Sequence, residues 1–423
     1  MQQYQGLIGI VTLMGIAILL SENRRQIVWR PVLVGLGLQV LFAALILKTP
    51  WGQPFFDACG RVVNLLIGFS DRGTDFLFKE LMYLNQPEKA LSGPLVNLAF
   101  RILPAIIFFS AVFAVLYHWG VMQFFVRIIA WGMVKTMGTS GAETLSVAAN
   151  IFLGQTEAPL VVKPFLSQMT RSEIMTIMLA GFATIAGTVI ALYVGMLAPV
   201  LGNDIAGHLI ASSVMGAPAS ILFAKLLVPE TEIPTTLGQV KVPMERTTTN
   251  VIEAFSEGAS EGLKLMLSVC AMLIAFIAAM EMVNALLGWG PTIPVLGVKI
   301  PATSMQEIFG WAFRPIAWTL GANWEESRVV GSLLGEKLVL TELIAYTDLA
   351  KPETISQLSP RTAKIAAYAL CGFANFASIG IQVGGIGSMA PERKGVISQL
   401  AMKAMIGGAL ASAMTGAIAG LMI

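Results

Sequence analysis

Apolar runs dominate the chain and are interrupted in two different ways. Leu7–Leu20 and Val32–Leu47 are apolar throughout and are separated by a polar stretch holding Arg24, Arg25 and Arg30. Each is a little under the ~20 residues that span a bilayer comfortably. Leu98–Tyr117, Ile174–Val200, Ile205–Leu227, Leu263–Trp289, Ala363–Met389 and Val396–Ile423 read as further crossings. Residues 48–95 mix charges with aromatics and are too polar for a simple span. Met122–Met137 carries Arg127 and Lys135 in an otherwise apolar helical pattern. That fits an amphipathic helix lying on a membrane surface, with a short ordinary span as the plainer alternative.

The second kind of interruption lies inside the apolar runs. In 151-IFLGQTEAPLVV-162, Gly154 and Pro159 frame a polar Gln155-Thr156-Glu157 tip. The arms Leu145–Leu153 and Leu160–Leu166 are each about half a membrane thick at ~1.5 Å per residue. Two half-length arms around a polar tip describe a re-entrant hairpin, which survives at membrane depth only when buried in protein or lining a cavity. Residues 304–349 read as a second irregular stretch, broken by Gly310, Pro315, Gly321 and Gly331 and ending in GEKLVLTELIAY. The pattern predicts an all-α integral membrane protein of about eight transmembrane helices plus two re-entrant hairpins.

Composition agrees. The 423 residues are 56% hydrophobic and 12% charged, with a mean hydropathy of +0.75, against about 25% charged in soluble proteins. A net charge of +2 implies no nucleic-acid partner. Cys59, Cys270 and Cys371 lie far apart, and His118 and His208 are the only histidines, so neither a disulfide framework nor a histidine-built metal site is expected. Residues 1–6 carry no positive charge, so the start does not read as a cleavable signal. By the positive-inside rule the N-terminus faces outward and the 21–30 loop inward. Lys225, Lys241 and Arg246 put the later polar loop inside as well.

The two broken stretches echo each other. QTE at 155–157 is followed by GFATIAG at 181–187, and LTE at 340–342 by GFANFAS at 372–378. Counting crossings, the first unit enters from the inside and the second from the outside. Inverted repeats with interrupted helices are a mark of secondary transporters. The domains expected are N-terminal scaffold spans over 1–120, a surface helix and first transport repeat over 121–228, a loop and scaffold span over 229–300, and a second repeat over 301–423.

Glu157 and Glu342 lead the candidate site, because a carboxylate at membrane depth is costly without a polar cavity or partner. A structural carboxylate bonded to hairpin backbone is the alternative. Gln155 and Thr156 offer donors and acceptors for a polar ring. Asn375 and Ser378 lie three apart, hence on one helix face, and could chelate vicinal hydroxyls or simply bond between helices. Asn150 and Thr184 supply hard oxygens beside the first repeat's two breaks, suited to a monovalent cation or again to interhelical bonding. Phe373 could stack on a base or pack. Glu336 and Lys337 would neutralise each other.

At GQTEAP, GFATIAG and CGFANFASIGI the chain resembles the concentrative nucleoside transporter family, specifically its bacterial sodium-type members, from about residue 95 onward. The resemblance implies a homotrimer of eight-span subunits in a bacterial inner membrane, importing nucleosides with sodium and using no cofactor. It implies that Gln155, Thr156 and Glu157 read the nucleobase, lined by Val189 and Phe373, and that Glu342, Asn375 and Ser378 hold the ribose. Asn150 and Thr184, with the carbonyls of Leu153 and Ile185, would bind the ion. Thr341-Glu342-Leu343 departs from the family's Asn-Glu-Phe, and Thr184 stands where relatives can carry Ser. Proton coupling is the rival reading. A channel or an enzyme is a more distant one, since no nucleophile or metal constellation is present.

Overall fold

The computed structural model describes residues 2–82, 98–238, 248–288, 292–293, 298–299 and 303–423. Lys241 and Arg246, Trp289 and the 83–95 part of the mixed segment lie outside the described residues. Helices α1 (Gln2–Leu19) and α2 (Trp29–Leu47) come first. Within the mixed segment, α3 runs over Gly52–Met82. A π turn, Leu98–Ile102, leads into α4 (Leu103–His118), and α5 (Val121–Met137) follows. On α5, Phe124, Phe125, Ile128 and Trp131 are exposed, and Lys135 lies over the Trp131 ring. Apolar rings beside a cation suit a headgroup boundary.

The first hairpin has unequal arms. Its first arm is α6 (Gly141–Ala149), which starts earlier than the apolar run and stops before it does. Its second is a 3₁₀ stretch, Ala158–Gln168. The sequence signal at the start is a capping box, Ser140 with Glu143, and a second box, Thr170 with Glu173, starts α7 (Arg171–Ala183). The two boxes touch, because Ser140 Oγ donates to Glu173 Oε1. They therefore fix the hairpin's base to the start of the next helix.

After a break at Thr184–Ala186 comes α8 (Gly187–Leu201), then α9 (Ile205–Leu227), whose bounds are those of the apolar run. Helix α10 (Val251–Gly288) begins well before the apolar run at Leu263. Glu253, Glu257 and Glu261 extend it as a polar helical stem that hydropathy cannot register. A two-residue ladder pairs Thr292–Ile293 with Val298–Lys299.

Residues 304–349 are likewise more regular than expected. They form α11 (Met305–Thr319), α12 (Ser327–Val339) and α13 (Glu342–Leu349), with Pro315 kept inside α11. A short turn α14 (Pro352–Ile355) precedes α15 (Pro360–Leu370), α16 (Phe376–Met389) and α17 (Lys394–Met422).

Among the described residues, six segments are long and apolar enough to cross a membrane, with α7 and α8 counted as one, and Tyr4–Leu19 and Phe376–Met389 are shorter apolar helices. The core is built from α7, α8, α9 and α17, which are almost wholly buried, with α1 against α17 and α2 against α9. Helix α10 packs mainly on α4, and only 6% of its apolar window is buried.

The bases of the two hairpins lie at opposite ends of the bundle. At one end Glu22, between α1 and α2, pairs with Arg171 at 3.0 Å and Lys403 at 3.0 Å. At the other end, Asp204 before α9 pairs with Lys364 on α15, and Glu326 bonds Ser359 and Thr362 beneath the second hairpin.

Candidate functional site

Two interrupted helices cross at the centre. Gly372 sits at φ 156° in the break between α15 and α16, and a Cβ there would lie 2.7 Å from the Phe182 carbonyl oxygen. Only glycine lets the second break rest on the end of α7. Around this crossing both hairpin tips deliver their polar residues.

On the second-hairpin side, Thr341 caps α13 and sets Glu342 in its first turn. Leu343 is buried behind it. The helix N-terminus favours the carboxylate, and both its oxygens are engaged. Tyr193 Oη donates to Oε1 at 2.8 Å and Asn375 Nδ2 to Oε2 at 2.9 Å. Asn375 is not on a helix face with Ser378, as the spacing suggested. It is the N-cap of α16, and its Oδ1 accepts the Ser378 backbone N–H at 2.8 Å. Its amide is thereby spent on both the cap and Glu342, leaving Ser378 Oγ as the freer group.

On the first-hairpin side, Gln155 Nε2 donates to Ser378 Oγ at 3.2 Å, and Gln155 Oε1 accepts from Gln382 Nε2 at 3.1 Å. Thr156 lies against Gly385 of α16. Gln155, Ser378, Asn375 and Glu342 thus form one connected network drawn from both halves of the chain. Glu157 stands apart, exposed at the tip with Oε2 accepting the Gly154 N–H at 3.1 Å. Val189 is buried on α8 one turn before Tyr193, and Phe373 is half-buried in the second break. Phe373 reaches the network only through its main-chain carbonyl, which accepts the Asn375 N–H at 2.9 Å.

Asn150 and Thr184 do meet. Asn150 Nδ2 donates to Thr184 Oγ1 at 2.7 Å and to the Ala180 carbonyl at 2.6 Å. Its Oδ1 is buried with no hydrogen-bond partner, a state that costs about 1–3 kcal/mol. The carbonyls of Leu153 and Ile185 accept no hydrogen bond among the described residues. An orphaned amide oxygen beside free carbonyls suits a hard cation without charge of its own. No cluster of His, Cys, Asp and Glu that could hold a metal occurs among the described residues.

Two participants are not apparent from motif reading. Tyr193 follows Val189 by one turn, and Gln382 follows Ser378 by one turn, each on a largely apolar helix. Lys337 does not pair with Glu336. Its Nζ donates to the Ala369 carbonyl at 2.8 Å and to Ser412 Oγ at 2.6 Å, while Glu336 accepts from Ser332.

A polar site at the crossing of two broken helices inside an apolar bundle defines a membrane carrier rather than an enzyme or a soluble receptor. Residues 208–420 match the family described as Na+ dependent nucleoside transporter C-terminus, residues 8–81 its N-terminus counterpart, and residues 99–200 a family described as nucleoside recognition. An uncharacterized transporter of Haemophilus influenzae is 41% identical over 431 residues, covering 100% of this chain and 98% of that one. A solved structure of CNTnw in an inward-facing substrate-bound state is 40% identical with a TM-score of 0.87, covering 100% of this chain and 98% of that one. A CNTnw double variant in an outward-facing state has 40% identity and a TM-score of 0.89, with coverage of 100% and 98%. The chain belongs to the concentrative, Na+-dependent nucleoside transporter family. It is a multi-pass membrane transporter and not an enzyme.

Proposed function

We propose that the protein is a symporter that imports nucleosides with sodium across a bacterial inner membrane by alternating access. The observation that carries this reading is the network at the helix crossing, in which Gln155 of one hairpin and Glu342 of the other converge on Ser378 and Asn375. Amide and carboxylate groups in an apolar bundle suit a ligand with a flat polar ring and a hydroxylated sugar. Gln155, Thr156 and Glu157 meet the base, with Val189 and Phe373 beside it. Glu342, Asn375 and Ser378 meet the ribose.

Sodium sits between Asn150, Thr184 and the carbonyls of Leu153 and Ile185. The unpaired Asn150 Oδ1 supports this placement. Leu153 is four residues before Glu157, so an ion here steadies the tip that reads the base. An ion shifts a conformational equilibrium only by binding one state better, and the coupling is mutual. Each subunit has eight crossings and two re-entrant hairpins related by inverted repeat. The repeats at 121–228 and 301–423 move in an elevator-like manner against spans in 1–120 and 229–300. The bare apolar flank of α10 is consistent with a homotrimer in the lipid bilayer.

The test is uptake of labelled uridine and adenosine into proteoliposomes, with choline replacing sodium at constant ionic strength. Uptake should require the sodium gradient, and nucleoside binding should tighten with sodium. Asn150→Leu or Thr184→Val should abolish that tightening. Sodium-independent uptake driven by a pH gradient would replace this reading with proton coupling, and conductance without saturation would indicate a channel.

A further inference from the structure

We propose that Gln382 is a positioning residue that fixes which end of the Gln155 amide faces the nucleobase, and so sets the preference among bases. This rests on the reading that Gln155 meets the base.

A carboxamide has two ends of nearly equal size and opposite hydrogen-bonding character, so its orientation is decided by its partners. Gln382 is fully buried on α16. One partner is the Met178 main-chain carbonyl of α7, 3.0 Å from Nε2. A carbonyl can only accept, so this end of the Gln382 amide is the NH2 group. The other proton on the same nitrogen goes to Gln155, 3.1 Å away, whose facing atom must then be Oε1. Gln155 Nε2 is left pointing away, with one proton on Ser378 Oγ at 3.2 Å and a second one unassigned. The backbone of one repeat thereby dictates, through a side chain of the other, that Gln155 presents a donor to its ligand.

Two further features set this apart from packing. Gly181 lies where the amides pass: a Cβ there would come within 2.6 Å of Gln382 Nε2 and 2.9 Å of Gln155 Cβ. Gln382 Oε1 is moreover buried without a partner, a cost that a methionine or leucine of similar volume would not carry.

A donor at Gln155 favours a base that offers an acceptor. Uracil carries a carbonyl where cytosine carries an amine, so uridine and cytidine are the informative pair. In proteoliposomes, Gln382→Leu and the similarly shaped Gln382→Met should free Gln155 to turn over. The ratio of cytidine KM to uridine KM should then shift toward cytidine by about fivefold, the size of one net hydrogen bond, with maximal rate and sodium dependence kept. In a Gln155→Ala background the same substitutions should leave the ratio where Gln155→Ala alone puts it. An unmoved ratio, an equal loss for both nucleosides, or a shift that persists without Gln155 overturns the proposal. So does failure of both variants to fold, which would make Gln382 a structural residue. If the wild-type protein takes up neither nucleoside, it is the carrier reading that fails instead.

Discussion

Ser378 and Asn375 look alike in sequence and differ in what they can spare. Asn375 caps α16 and holds Glu342, so Asn375→Ala removes a cap of about 0.5–2 kcal/mol as well as a ligand contact. Ser378 Oγ receives Gln155 but has its own proton to give. Ser378→Ala should therefore raise KM for ribonucleosides about tenfold while leaving analogues without the sugar hydroxyls near wild type, as loss of one buried hydrogen bond requires. Equal losses for both classes would mean a packing defect. Residues such as Gln155, Glu342 and Ser378 were legible because polar groups at breaks in apolar runs are costly and need a reason. Tyr193 and Gln382 were not, since one phenol or amide per helix turn gives no periodic signal until the partner helix is known. Asn375 was half legible: the residue was found, but an N-cap and a helix face cannot be told apart before the break is placed.

At the scale of elements, the capping boxes mattered more than hydropathy in placing the first hairpin. Ser140 and Thr170 start α6 and α7, and the boxes join through Ser140 and Glu173. Ser140→Ala should cost about 0.5–2 kcal/mol of stability, read as a lower midpoint of thermal unfolding in detergent, with nucleoside KM unchanged in the folded fraction. A changed KM without a stability loss would place Ser140 in the transport pathway instead. Hydropathy located α9 to the residue because that helix is apolar from end to end. It missed the stem of α10 and the regularity of 304–349 because it measures where a helix meets lipid. Glu253 and Glu257 are helical without being apolar, and Pro315 or Gly331 within a packed helix reads as a break only in isolation.

For the molecule as a whole, Glu22 is a tie between the α1–α2 turn and both halves of the chain. Its carboxyl is held below the ordinary value of 4.5, first by the hydrogen bond from Arg171 and also by Lys403, against the opposing effect of partial burial. A depressed carboxyl contributes stability that is in place above its unfolded pKa and is lost as pH falls through the lower, folded value. The wild-type protein should thus be more thermostable than Glu22→Gln at neutral pH, with the gap closing as the pH falls well below 4.5. A gap that stays constant across that range would show that the ion pairs contribute nothing.

Helix α17 touches α1, α7, α9, α15 and α16, which gives the protein a schedule as well as a shape. These residues are made long after α1, yet they line the groove in which that helix must settle. Until they emerge, Gly407, Gly408 and Gly416 are not there to receive Leu179, Phe182 and Ala369, and α7 and α9 wait with their inner faces against lipid or one another. Contacts between residues far apart in the chain are slow to form. The nascent carrier therefore holds α1, α7 and α9 inserted but unfinished, and closes around its site only once α17 has emerged.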